Sequence, residues 1–413
     1  MKRIGFLFFF LGSLSAFPQS YTSRQYKDDF QYFWNSINDN YCYFEKKQVD
    51  WQKVRLRLSP LVDTVTSRDG FISILEKAFY ELYDHHCSLG ANTPFSRRLA
   101  PTGADIWAEY IGGKPVVIEL RQDFGAQRAG IRVGMEVIAV NDVPVSEAIQ
   151  PFLSHAVNDA SKSYALRVLL AGDHVTKRKI MLRSDHTVTD FYPDKDSVLL
   201  EHVKYPAYVE SRVMGKIGYI RVNNFLYDNR LIGQFDSVLN AVKEKEALII
   251  DMRETPSGGN TSVARAILGH FTDKDQFYQK HEYYAEEKET GVKRSWMEIV
   301  SPRGTLYKGP LVILADHWTG SIAEAITCGF DGMNRAKIIG TELARLNGSV
   351  ETFTMPNTGI RFNFPTERLY TTKGLPREEF QPFIKVDVRG QKPGSEGDLI
   401  LRSAITFLEN KIK

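Results

Sequence analysis

Cysteine is scarce in this chain: Cys42, Cys87 and Cys328 are the only three in 413 residues. An odd, small count does not make a disulfide framework, and it leaves room for one pair at most. The other reading is three small buried hydrophobes. Their spacings fit no zinc pattern. Charge of one sign is missing too: 53 Lys and Arg stand against 50 Asp and Glu, a formal net charge of +3. Without a Lys/Arg run, nothing here is suited to track phosphates, so no nucleic-acid partner is expected. No apolar stretch reaches eighteen residues, so no stable membrane insertion is expected. A Gly-Lys-Ser/Thr phosphate cradle is absent. There is no fixed-period repeat and no low-complexity tract.

What is present is ordinary globular composition, 43% hydrophobic and 25% charged. The length implies two or three domains, each able to bury a core. The N-terminus carries an address. Lys2 and Arg3 precede the apolar run from Ile4 to Leu11, and the small residues Ser13, Ser15 and Ala16 follow. That order is the order of a secretory signal peptide over residues 1–20, with cleavage after Ala16 or near Ser20 both open. An uncleaved interfacial helix is the alternative. An exported protein, periplasmic or secreted, is the expectation.

Residues 21–98 read as a helical region. Phe30, Phe33, Trp34 and Ile37 follow the 3,4 spacing of one helix face. Trp51, Val54 and Leu58 start a second such face. Phe71–Tyr83 forms a third, with Ser67 as its cap. Residues 99–187 change to short β-type runs broken by Gly, Pro and Asp, such as Pro115–Leu120 and Glu136–Val140. From 205 to 413 the rhythm becomes strand, helix, strand. Ile217–Val222, Ala247–Arg253, Leu311–Ala315 and Ala336–Gly340 are apolar runs of the kind that a covered parallel sheet requires. The fold class is therefore multidomain α/β: helical region, β-rich domain, α/β core.

Two strand ends carry candidate chemistry. In Leu311–Ile326, a buried strand runs to a small-residue turn and a helix starts at once, with Ser321 at its N-terminus. Ser321 is either the helix cap or an exposed nucleophile at the C-terminal end of a strand. In the second reading the Ile322 N–H, which has no partner within the helix, points at a developing oxyanion. In Asp251–Asn260 another strand ends in a turn containing Gly258 and Gly259, residues that let main-chain N–H groups approach a substrate. A lipase-type G-x-S-x-G elbow does not fit, because no second glycine follows Ser321.

Together these segments resemble the tail-specific, C-terminal processing serine peptidases, whose core is of the ClpP/crotonase type. Asp251–Gly259 is similar to the family's D-L-R-x-N-x-G-G, with Ser257 as a departure, and Thr319–Glu324 to its nucleophile turn. Ala129-Gly130-Ile131, Gly134 and Val140-Asn141 resemble the corresponding segment of a PDZ domain, a peptide-capturing module that the family places ahead of its core. The family's lysine base has no counterpart here, since Glu342–Asn347 contains none. Leu82–His86 instead resembles the L-x-D-x-H segment of the tricorn-core branch, which implies His86 as the base. His85 departs from that pattern. The resemblance also implies a late acidic residue that orients the base, Glu378 or else Glu379. The implied activity is peptide hydrolysis through an acyl-enzyme on unfolded or C-terminal peptides. Ser321 would be the nucleophile, with N–H groups of Ile322 and Gly258 or Gly259 as the oxyanion hole. No metal or organic cofactor is implied. An inactive relative that binds peptides or hydrophobic ligands is the alternative.

Overall fold

In the computed structural model of the chain, residues 21–153, 157–195 and 204–412 are described. The expected signal peptide lies outside them. No helix among the described residues is long and apolar enough to cross a membrane.

The N-terminal helices Ser23–Asn40, Trp51–Thr64 and Arg68–Tyr80 start where capping chemistry predicts. Thr22, Asp50 and Ser67 each accept the N–H three residues on, at 3.1–3.3 Å. Such caps are worth about 1 kcal/mol each. Phe30, Phe33, Trp34 and Ile37 are buried as their spacing requires, but not within a helical domain of residues 21–98 alone. Their core includes Met355, Ile360, Phe362 and Phe364, far along the chain. Phe33 meets Phe362 edge-on, ring centres 5.0 Å apart. The reason is geometric: three short helices with broad aromatic faces need a sheet to cover them.

That sheet escapes the sequence reading. It is antiparallel and ordered Ser88–Leu89, Arg361–Tyr370, Gln276–Tyr283, Arg294–Val300, with Ser349–Thr354 also on Arg361–Tyr370. Ser88 pairs with Asn363 and Leu89 with Phe362, so the chain leaving the helices is tied into the sheet just after His86.

The β-rich region is an antiparallel sheet ordered Ile106–Ile111, Lys114–Leu120, Glu136–Val140, Ile180–Ser184, Thr187–Phe191, with helix Asp159–Ala171 packed on the edge strand Ile106–Ile111. Gly130 and Gly134 hold positive φ at its turns. Buried Arg178 bridges Asp105 and Asp194, satisfying a charge that would otherwise be costly.

The α/β core is a six-stranded sheet ordered Ile384–Lys385, Lys337–Gly340, Leu311–Ala315, Ala247–Asp251, Ile217–Val222, Val209–Met214. All pairings are parallel except the last. Its central strands Ala247–Asp251 and Leu311–Ala315 are buried along their whole length because both faces are covered. Leu248, Ile250 and Ile313 pack toward helices Arg230–Val242, Thr261–Leu268 and Ile322–Gly332. Ala247, Ile249 and Val312 pack toward helix Leu399–Glu409. Each fully buried Leu or Ile contributes about 1.5–3 kcal/mol. All three cysteines are buried and unpaired.

Candidate active site

The carboxyl ends of two parallel neighbours, Ala247–Asp251 and Leu311–Ala315, release the two glycine- and serine-bearing turns side by side. The turns are fastened to each other. Thr255 and Thr319 form a parallel bridge, the Thr255 N–H donates to the Trp318 carbonyl, and the Gly320 N–H donates to the Thr255 carbonyl. Thr255 and Thr319 hydroxyls both donate to the Met252 carbonyl. Trp318 is fully buried, its indole N–H on the Ala104 carbonyl, so it fixes the turn from below instead of lining a substrate pocket. Arg253 bridges Asp251 and Asp398, a scaffold role.

Ser321 precedes the helix Ile322–Gly332 with φ 55° and ψ −112°. A non-glycine residue held there costs about 1–3 kcal/mol, and such strain clusters at functional sites. Its side chain makes no capping bond to the helix, and its own N–H is taken by the Glu324 carboxylate at 2.8 Å. The hydroxyl is thus left for another partner. That partner is His86: Nε2 lies 3.1 Å from Ser321 Oγ, across 235 positions of sequence.

The other ring nitrogen, Nδ1, lies 2.6 Å from the main-chain carbonyl oxygen of Asn347. This corrects the expectation of a late carboxylate. Glu378 faces away, into an open groove of about 410 Å³ whose lining includes neither His86 nor Ser321. There it pairs with Lys46 at 2.7 Å, and Glu379 pairs with the same lysine at 3.2 Å. The carboxylate that serves the base is Asp84, buried two positions before it. Oδ1 accepts the His86 N–H at 2.9 Å, while Oδ2 accepts the Asn347 side-chain N–H at 3.0 Å and the Tyr41 hydroxyl at 2.9 Å. Asp84 therefore holds the base and the base's acceptor at once, without touching the ring. Burial pushes the His86 imidazole down to about 4, so it is neutral near pH 7. His85 turns the other way: it stacks on Tyr164 and accepts from Arg167 Nε at 3.0 Å. The two histidines do not converge on one point.

The glycines are held by contact as well as by conformation. Gly258 has φ 69°, and a Cβ there would fall 2.4 Å from Ser321 Cβ. A Cβ on Gly259 would fall 2.1 Å from the Leu226 main chain. The Gly258 N–H turns back to the Thr255 carbonyl at 3.4 Å, whereas the N–H groups of Gly259 and Ile322 meet no protein acceptor among the described residues. Lys337, the lysine nearest in sequence to the segment Glu342–Asn347 where the family has its lysine base, sits over the Phe383 ring at 4.5 Å and cannot serve as base from there.

A serine hydroxyl and a neutral imidazole in hydrogen-bond contact, at the carboxyl edge of a parallel sheet, form the arrangement that serine-type hydrolases use. Comparison with known proteins narrows this. Residues 216–386 match peptidase family S41, and residues 22–79 match the tricorn protease C1 domain. Tricorn protease homolog 1 of Streptomyces coelicolor is 22% identical over 325 residues, 74% of this chain and 27% of that protein. Carboxy-terminal processing protease CtpB of Bacillus subtilis is 22% identical over 278 residues, 66% of this chain and 52% of that protein. The chain spans only part of the length of both relatives. The fold is shared with the photosystem II D1 C-terminal processing protease, at a TM-score of 0.57, 14% identity, and coverage of 90% of this chain and 96% of that one. It is shared also with mature CPAF, at 0.57, 16%, 95% and 97%. Over residues 216–386 the chain is therefore similar to the tail-specific, C-terminal processing serine peptidases, and over residues 22–79 to the tricorn protease C1 domain.

Proposed function

We propose that the protein is an exported peptidase that cleaves peptide bonds through an acyl-enzyme, with Ser321 as nucleophile and His86 as general base. The observation that carries this reading is the 3.1 Å contact between His86 Nε2 and Ser321 Oγ. The neutral imidazole takes the hydroxyl proton as Oγ attacks the scissile carbonyl. The Asn347 carbonyl accepts the Nδ1–H and favours the imidazolium that forms. The oxyanion then sits between the Ile322 and Gly259 N–H groups, with Gly258 as the close-packed spacer. The imidazolium returns its proton to the leaving amine. Water repeats the sequence to release the acyl group. One such N–H donor is typically worth about 10²–10³ in rate.

The β-rich domain, on this reading, is a PDZ-type module that captures an extended peptide. Its edge strand Ile106–Ile111 lies beside helix Asp159–Ala171, the arrangement in which a peptide strand is added. The Tyr110 N–H of that edge is presently bonded to the Ser163 hydroxyl at 2.8 Å, so an incoming strand displaces a helix side chain. The domain also touches the catalytic turns: the Thr102 hydroxyl donates to the Pro256 carbonyl, and Arg121 pairs with Glu254. Export rests on the charge and apolar order of residues 1–20.

A fluorophosphonate probe applied to the purified protein tests the activity. The expected result is a single adduct on Ser321 that is lost in Ser321→Ala, with cleavage of an unfolded protein substrate by the wild type alone. No adduct and no cleavage would leave a peptide-binding relative as the function.

A further inference from the structure

We propose that Arg377 and Glu324 act as a positioning pair that sets the nucleophile and the acceptor of its base in one frame; this rests on the Ser321–His86 reading above. Glu324 Oε2 accepts the Ser321 N–H at 2.8 Å and lies 3.5 Å from Arg377 Nη2. The same Nη2 donates to the carbonyls of Leu346 and Gly348, each at 3.0 Å. Between those two carbonyls stands that of Asn347, aimed the other way at His86 Nδ1. By pulling both flanking carbonyls to itself, Arg377 fixes the direction of the middle one. By pairing with Glu324, it ties that direction to the main chain of the nucleophile. One guanidinium thereby connects Ser321 to the group that orients its base, from behind the site and without touching either reacting atom.

The pair makes little sense as a device for stability. Glu324 is wholly buried and Arg377 nearly so, at 0% and 3% exposure. The contact is single and long, not the two-bond fork that makes buried arginine–carboxylate pairs strong. Glu324 Oε1 and Arg377 Nε meet no partner among the described residues. A buried pair with two unsatisfied atoms is a poor exchange for apolar packing. What it does supply is two fixed main-chain directions, one on each side of the Ser–His contact. The neighbouring residue clarifies the division of labour: Arg377 points inward to the frame, and Glu378 points outward to Lys46.

The test compares Arg377→Met and Arg377→Lys with wild type, in the full chain. It reads the second-order rate of fluorophosphonate labelling at Ser321, kcat and KM on one peptide, and the thermal midpoint. A displaced catalytic group costs up to about 100-fold. Labelling and kcat are therefore expected to fall roughly 10- to 100-fold in Arg377→Met, with KM within about twofold of wild type. Lysine restores the charge, but its side chain is one bond shorter and stops short of the Nη2 position, so only part of the loss returns in Arg377→Lys. If Arg377→Met does not fold, Arg377→Lys decides alone, and a drop in labelling of about fivefold or more supports the pair. Labelling at the wild-type rate in a folded variant, or a loss confined to KM, overturns it. Absence of labelling in the wild type would instead overturn the Ser321–His86 reading, and the positioning role with it.

Discussion

His86 Nδ1 meets the carbonyl oxygen of Asn347 at 2.6 Å, so the candidate base is oriented by the main chain and not by a carboxylate. A carbonyl of fixed direction settles the tautomer, leaving Nε2 unprotonated and facing Ser321 Oγ. The charge that supports this arrangement is one bond further out, on Asp84.

Glu378 and Asp84 should therefore respond unequally to removal of charge. Glu378→Gln weakens the pair with Lys46, which touches neither His86 nor Ser321, and kcat should stay within about threefold of wild type. Asp84→Asn disturbs three bonds at once, including the one that holds Asn347. It should lower kcat roughly 10- to 100-fold and destabilise the fold by about 1–3 kcal/mol. Steady-state kinetics and urea unfolding on the two variants check this; equal effects would contradict the assignment.

Replacing the reacting groups gives the largest losses. Ser321→Ala and His86→Ala should each reduce kcat by about 10⁴-fold or more, and the double variant should be little worse than either alone. Their thermal midpoints should remain near that of the wild type, since alanine keeps the Cβ of serine and meets the same left-handed backbone cost at position 321. An additive double variant would show that the two groups do not act as a unit.

Gly258→Ala places a methyl against the nucleophile and forces a left-handed φ on a residue with a side chain. The backbone term alone costs about 1 kcal/mol. The displaced serine should lower kcat by about 100-fold. Gly259→Ala meets main chain at Leu226 instead, which cannot swing aside, so its loss of stability should be the greater of the two. Differential scanning calorimetry and labelling rates separate the two effects.

The pH dependence follows from the buried imidazole. With the free base at about 4, the acid limb of kcat/KM should fall well below the usual imidazole value of 6.5. Stability carries the same signature. The unfolded chain protonates this histidine near 6.5 and the folded chain only near 4, so the unfolded state holds more protons between those values. Unfolding free energy contributed by His86 is complete above about 6.5 and declines as pH falls toward 4, by on the order of 3 kcal/mol. His86→Gln should lose that slope. Urea unfolding at pH 7 and pH 4.5, on both proteins, measures the difference.

Much of this molecule is legible in order along the chain. The 3,4 spacing of Phe30, Phe33, Trp34 and Ile37 marks a helix, and Ser67 caps another, because both depend on contacts within one turn. The apolar runs at 247–251 and 311–315 mark covered parallel strands, because both faces of such strands must be buried. Ser321 stands out because a buried strand, a small-residue turn and a helix start are consecutive. The strands 276–283, 294–300 and 361–370 stay hidden, since half-exposed antiparallel strands alternate weakly and take meaning only from their partners.

The long-range choices belong to the tertiary structure. Nothing local brings His86 to Ser321; the pairing of Ser88 and Leu89 with strand Arg361–Tyr370 anchors the chain beside it. The acceptor of the base is a carbonyl that every residue possesses, so no side chain announces Asn347. Which of two adjacent residues, Arg377 or Glu378, turns inward is set by the buried carboxylate of Glu324 on one side and by Lys46 on the other. The amino-acid sequence by itself determined which groups of the required chemistry were available. Packing decided which of them meet, because contacts across hundreds of residues depend on the whole core and on no single segment.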